Sequence, residues 1–114
     1  MVPSGSITAD SLAFSALASR RILENKLPEE TAQARLKQIG MMNVLHYMVD
    51  AGRELTVATI VAETGLTRTG VNEVILPLVQ KGLVIERLST NTMGRGKARV
   101  FTVSSALLPS ASGR

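Results

Sequence analysis

LTVATIVAETGLTRTGVNEVILPLVQKGLVIERLSTNTMGRGKARVFTV, residues 55–103, is the stretch from which the fold can be read. Leu55-Thr56 reads as a short edge strand, with Thr56 capping a helix over Val57 to Thr64 in which Ile60 and Val61 point inward. Gly65 makes the turn, as a residue that tolerates positive φ, and Leu66 is expected to plug the core. Thr67 caps a second helix from Arg68 to about Lys81; Glu73 lies too far along to complete a capping box, so the hydroxyl acts alone. Val71, Val74, Ile75, Leu78 and Val79 supply its inward stripe, and Gly82 closes it. Pro77 removes a hydrogen bond to residue 73 and predicts a kink near 73–76. Two period-2 segments follow, Leu83 to Leu88 and Val100 to Val103, joined by the loop Asn91 to Ala98 with Arg99 at its shoulder.

Upstream, Met1 to Ala9 is small and polar and reads as a disordered terminus. Asp10 or Ser11 caps a helix running to about Lys26, with Leu12, Ala13, Ala16, Leu17, Ile22 and Leu23 as its apolar stripe. That stripe needs a partner, either its own domain or the same helix in a second copy. The second copy is preferred, because the core over 28–104 closes without such an extension, so Leu12, Ala16, Leu17, Ile22 and Leu23 are expected at a dimer contact. Leu27-Pro28-Glu29-Glu30 reads as a helix restart, with proline at the first position and carboxylates at the positive end of the macrodipole. From there a long helix reaches Asp50, with Gly40 a potential bend, Met41, Val44, Leu45 and Met48 as its core face, and Ala51-Gly52 as its end. Residues 105–114 are Ser/Ala-rich and read as a flexible tail with room for one short turn.

The 114 residues suffice for one domain with a core. Aromatics are 3% and tryptophan is absent, so the core must be aliphatic with methionine filler, and a base-stacking platform for single strands is disfavoured. The chain has no cysteine, which excludes disulfides and thiolate metal sites. His46 is the only histidine and cannot anchor a metal site of the usual kinds, so it reads as an ordinary surface or interface residue. The net charge is +4 and is not spread evenly. Residues 1–50 carry five Lys/Arg against five Asp/Glu, residues 51–114 eight against four, which points to a polyanionic partner for the second half. No run approaches the ~20 apolar residues of a membrane span. Phe14-Ser15-Ala16-Leu17-Ala18 imitates a signal-peptide cleavage site, but no Lys or Arg precedes it and Asp10 interrupts, so a cytoplasmic protein is expected.

Chemically, the start of the second helix offers Thr67, Arg68, Thr69, Gly70, Asn72 and Glu73. Arginine can grip guanine bidentately, asparagine adenine, and threonine a phosphate or thymine methyl, while Gly70 lets the backbone come near and Glu73 can accept from a cytosine amine. Arg95, Lys97 and Arg99 lie within five residues on a glycine-softened loop with no acid among them, suited to phosphates or the minor groove. The helix is expected to specify and the loop to supply affinity. Gly94-Arg95-Gly96-Lys97 lacks the spacing and context of a nucleotide-phosphate loop. No nucleophile motif is present, so neither an enzyme nor a cofactor is expected.

Strand, helix, turn, helix and paired strands around a basic loop form a winged helix-turn-helix, an α+β and mainly helical fold with an extra N-terminal helix and a two- to three-stranded antiparallel β-wing. The stretch resembles bacterial transcription regulators of the MarR and ArsR kind, through Gly65, Leu66-Thr67, Val71, Lys81-Gly82-Leu83-Val84, the Arg/Gly wing and Val100-Phe101-Thr102-Val103. The resemblance implies sequence-specific binding of double-stranded DNA by a homodimer, with helix 67–81 in the major groove, Arg68, Thr69 and Asn72 at recognition positions and Arg95 at the tip of wing 91–99. The sequence departs from the family at Val61 and Pro77. Its end soon after the wing transfers dimerisation to the N-terminal helices, and no ArsR metal-thiolate motif exists. A winged helix serving as an assembly module in a larger complex is the alternative, disfavoured because such domains tend to lose a basic wing. A small-molecule effector stays open.

Overall fold

The computed structural model describes residues 9–90 and 97–108. The order of elements is α1 (Ala9–Glu24), α2 (Ala32–Asp50), β1 (Leu55–Thr56), α3 (Val57–Thr64), α4 (Arg68–Gln80), β2 (Val84–Thr90) and β3 (Lys97–Val103), followed by a 3-10 turn over Ser105–Leu107. The fold is α+β and mainly helical, with β1, β3 and β2 side by side in one antiparallel sheet, compatible with a winged-helix arrangement. Leu55 pairs with Phe101, Val84 with Val103, and Leu88 with Arg99.

Local chemistry sets most boundaries. Thr56 caps α3 by accepting from the Thr59 amide at 3.1 Å, while the Thr59 hydroxyl accepts from the Thr56 amide at 2.9 Å, so a threonine completes a reciprocal capping box. Thr67 caps α4 through its hydroxyl, which accepts from the Gly70 amide at 2.9 Å. Gly65 sits between the two helices at φ 78°, a left-handed conformation that a side chain would strain. α4 runs unbroken through Pro77.

The start of α2 departs from expectation. Pro28 and Glu29 form a turn, with Glu29 at φ 63°, and the helix begins only after Thr31, whose hydroxyl accepts from the Ala34 amide at 3.0 Å. The two carboxylates therefore do not sit on the helix dipole. The turn swings Glu30 inward instead, where its carboxylate accepts from the Leu27 amide, Gln38 Nε2 at 2.6 Å and Lys81 Nζ at 2.9 Å. Lys81 also donates to Gln38 Oε1 at 2.8 Å. This small polar knot ties the C-terminal end of α4 to α2 and to the link that joins it to α1.

The core is aliphatic with methionine filler. Met41, Met42, Leu45 and Met48 of α2 meet Ile60 of α3, Val71, Ile75 and Leu78 of α4, and Leu83, Val84, Phe101 and Val103 of the sheet. α1 belongs to this same core through Phe14, Ala18 and Ile22, all fully buried. Phe14 stacks on the His46 ring of α2 at 4.2 Å between centroids, which makes His46 a packed residue. Three expectations are corrected here. Ile22, assigned to a dimer contact, is enclosed in the core of its own chain, and Leu17 is half-buried against the same core. Leu66 is 41% exposed and plugs nothing, because the turn carries it to the surface. Leu107, assigned to a flexible tail, is fully buried where the 3-10 turn meets α1. Among the described residues no helix is long and apolar enough to cross a membrane.

Candidate functional site

α4 presents three different sides. Val71, Ile75 and Leu78 point into the core. Thr69, Glu73, Leu76 and Gln80, spaced as one face of a helix, are all exposed. Leu76 is 58% exposed, an apolar residue in the middle of that polar face which the sequence reading passed over. Arg68 lies exposed in the first turn, beside Thr69. Asn72, one turn beyond Arg68, reaches Arg99 of β3.

Asn72 is held at both ends. Its Nδ2 donates to the Arg68 carbonyl at 3.0 Å, and its Oδ1 accepts from Arg99 Nη1 at 2.6 Å. Arg99 in turn grips Glu86 with two bonds, Nε to Oε2 at 2.8 Å and Nη2 to Oε1 at 3.2 Å, and its guanidinium lies 5.2 Å from the centroid of the Phe101 ring. The register explains the meeting. Glu86 is opposite Phe101, so Glu86, Phe101 and Arg99 share one face of the sheet, and Glu86 is the diagonal neighbour of Arg99. The bonds and charge of Arg99 hold the Glu86 carboxyl below its usual range against a smaller opposing effect of burial. Reciprocally, Glu86 raises the Arg99 pKa.

The expected DNA-contact residues are therefore brought together unevenly. Arg68 and Thr69 are exposed at the start of α4, as expected. Thr67 accepts from the Gly70 amide in the helix cap, which uses one lone pair of its hydroxyl. At Gly70 a Cβ would meet Thr67 Oγ1 at 3.2 Å and Leu66 Cβ at 3.7 Å, so its bare side faces back into the turn and lets the cap close. Arg99, expected to meet phosphates or the minor groove, is bonded to Glu86 and Asn72, and Asn72 is no free amide. Arg95 lies outside the described residues, and Lys97 is described only by its backbone, as the first residue of β3.

Glu73 borders a different feature, a groove of about 540 Å³ between α2 and the α3–α4 turn. Met41, Val44, Leu66 and Val74 line it with apolar surface, and Lys37 and Glu73 add one charge of each sign. Among the described residues no cluster of three or more His, Asp or Glu is arranged to hold a metal ion. No family model matches the chain, and neither a curated protein nor a solved structure matches it.

Proposed function

We propose that this protein is a transcription regulator that binds double-stranded DNA as a homodimer, with the start of α4 in the major groove and the β2–β3 hairpin on adjacent phosphates or the minor groove. It is a binding protein, not an enzyme, and acts in the cytoplasm. The observation that carries the reading is that the exposed first turn of α4, with Arg68 and Thr69, is bonded through Asn72 and Arg99 to β3. A helix start joined in this way to β3 can divide the labour between base edges and backbone with the cations Arg95 and Lys97 that precede Arg99 in the chain. The two-fold copy would associate through the exposed side of α1, where Leu12, Ala16 and Leu23 are uncovered.

The test is binding of the full chain to a generic labelled duplex over a salt series, with sedimentation to give the mass. Each phosphate neutralised contributes about −0.9 to the slope of log K against log salt. Arg95→Ala with Lys97→Ala is expected to weaken binding on all sequences alike and to flatten the slope by about 1–2 units. An unchanged slope removes the loop from the contact. No binding at low salt favours the assembly-module reading.

A further inference from the structure

Base reading by asparagine depends on which of its amide atoms are free. The neighbours of Asn72 settle the orientation of its amide: Arg99 has only donors, so it must face Oδ1, and the Arg68 carbonyl has only acceptors, so it must face Nδ2. A bidentate adenine contact asks Oδ1 to accept from the adenine amine while Nδ2 donates to N7, so it must share the oxygen with Arg99. The oxygen has a second lone pair, but an amine reaching it arrives beside the Arg99 guanidinium, donor against donor. What remains for a ligand is the second Nδ2 hydrogen of Asn72 and the Nη hydrogens of Arg99 not spent on Glu86 and Asn72. All are donors.

We infer that Asn72 and Arg99 act as one donor-rich reading head whose target is the N7/O6 edge of a guanine, an inference that rests on the duplex-binding reading above. Guanine is the base whose major-groove edge carries two adjacent acceptors and no donor of its own. Phosphate oxygens share that acceptor-only chemistry. Glu86 argues for the base: its bidentate grip already neutralises the Arg99 charge, which weakens long-range attraction to phosphate but leaves directed N–H groups available. The Phe101 ring beneath the guanidinium and the cross-strand carboxylate fix its plane before any ligand arrives. Arg99 and Glu86 thereby determine what Asn72 can read.

Duplexes with a randomised core are selected with the full-length protein and with Arg99→Leu, and the bound fractions are sequenced. The native chain is expected to enrich a fixed G·C pair in each half-site, and Arg99→Leu to lose that guanine or exchange it for adenine, with the salt slope nearly unchanged. Circular dichroism checks that the variant folds. A second arm needs no variant: replacing the selected guanine by 7-deazaguanine removes N7 and is expected to weaken binding of the native chain by about tenfold or more. Enrichment of adenine at an Asn72-dependent position, or indifference to 7-deazaguanine at every selected guanine, overturns the inference while duplex binding stands. A slope reduced by about one unit in Arg99→Leu, with base preference intact, makes the pair a phosphate clamp and overturns it equally. Absence of any duplex binding at low salt removes the parent reading and this one with it.

Discussion

The Lys81 side chain is 2% exposed and that of Glu30 5%, an ion pair taken almost wholly out of water. Desolvation of two charges is costly, and what makes it tolerable is that both are satisfied in detail: Glu30 by Gln38, Lys81 and the Leu27 amide, and Lys81 additionally by Gln38. Burial alone pushes the Glu30 carboxyl up, but the bonds it accepts outweigh burial and leave it below its usual range. Lys81→Met strands a buried carboxylate and is expected to cost roughly 3–5 kcal/mol in urea unfolding. The triple change Glu30→Leu, Gln38→Leu, Lys81→Met removes every charged member and is expected to recover most of that loss. Equal losses in both proteins would show that helix packing, not the unpaired charge, sets the cost. None of this can be seen in Lys81-Gly82-Leu83, where lysine looks like an ordinary surface residue before a C-terminal glycine. Its partner lies 51 positions earlier.

At the scale of elements, α1 has two apolar faces, and only packing distinguishes them. Phe14, Ala18 and Ile22 recur every fourth residue and turn into the core, while Leu12, Ala16 and Leu23 lie on the outside. The spacing of the buried set was present in the sequence, but the leucines of the other face drew the stripe toward themselves. Removing residues 1–26 would strip three core side chains, so a truncation confounds self-association with folding. Point changes separate them. Phe14→Ala is expected to cost about 3–5 kcal/mol by opening a cavity beneath α1. Leu12→Ser with Leu23→Ser should change stability by less than about 1 kcal/mol, since exposed positions contribute little to the fold. On the proposed dimer, sedimentation of the Leu12/Leu23 variant moves to the monomer mass, and an unchanged dimer assigns the contact to another surface.

For the whole molecule, pairing redistributes the formal charge. In residues 51–114, Lys81 is paired with Glu30, Arg99 with Glu86 and Arg53 with Glu63, so the basic character open to a partner is narrower than the count of cations suggests. The same pairs make stability depend on pH. Glu30 and Glu86 both hold their protons less tightly when folded than their ordinary value of 4.5, so the unfolded chain takes up protons first as pH falls. Their contribution is complete above 4.5 and is lost as pH drops through the lowered folded values. Urea unfolding from about pH 6 down to about pH 3 is expected to show stability falling through that window, with a shallower fall in Glu86→Gln. A profile flat below the ordinary carboxylate value would mean that neither pair forms in solution.

The sequence by itself determined what depends on residues close together in the chain. Thr56 and Thr67 mark the starts of α3 and α4, Gly65 the turn between them and Gly82 the end of α4, because capping and left-handed turns are settled within about four residues. The period-2 runs likewise announced β2 and β3, and with them the α+β class. Tertiary structure alone decided which of two faces of α1 is buried, that Leu66 stays outside, that Lys81 goes inside, and that Asn72 and Arg99 meet across 27 residues. A side chain's period states that it has a side, whereas its partner is chosen by the packing of elements distant in sequence. At the candidate site the same division holds: the residue types at the start of α4 were legible, but the direction of the Asn72 amide was fixed only when Arg99 arrived beside it from β3.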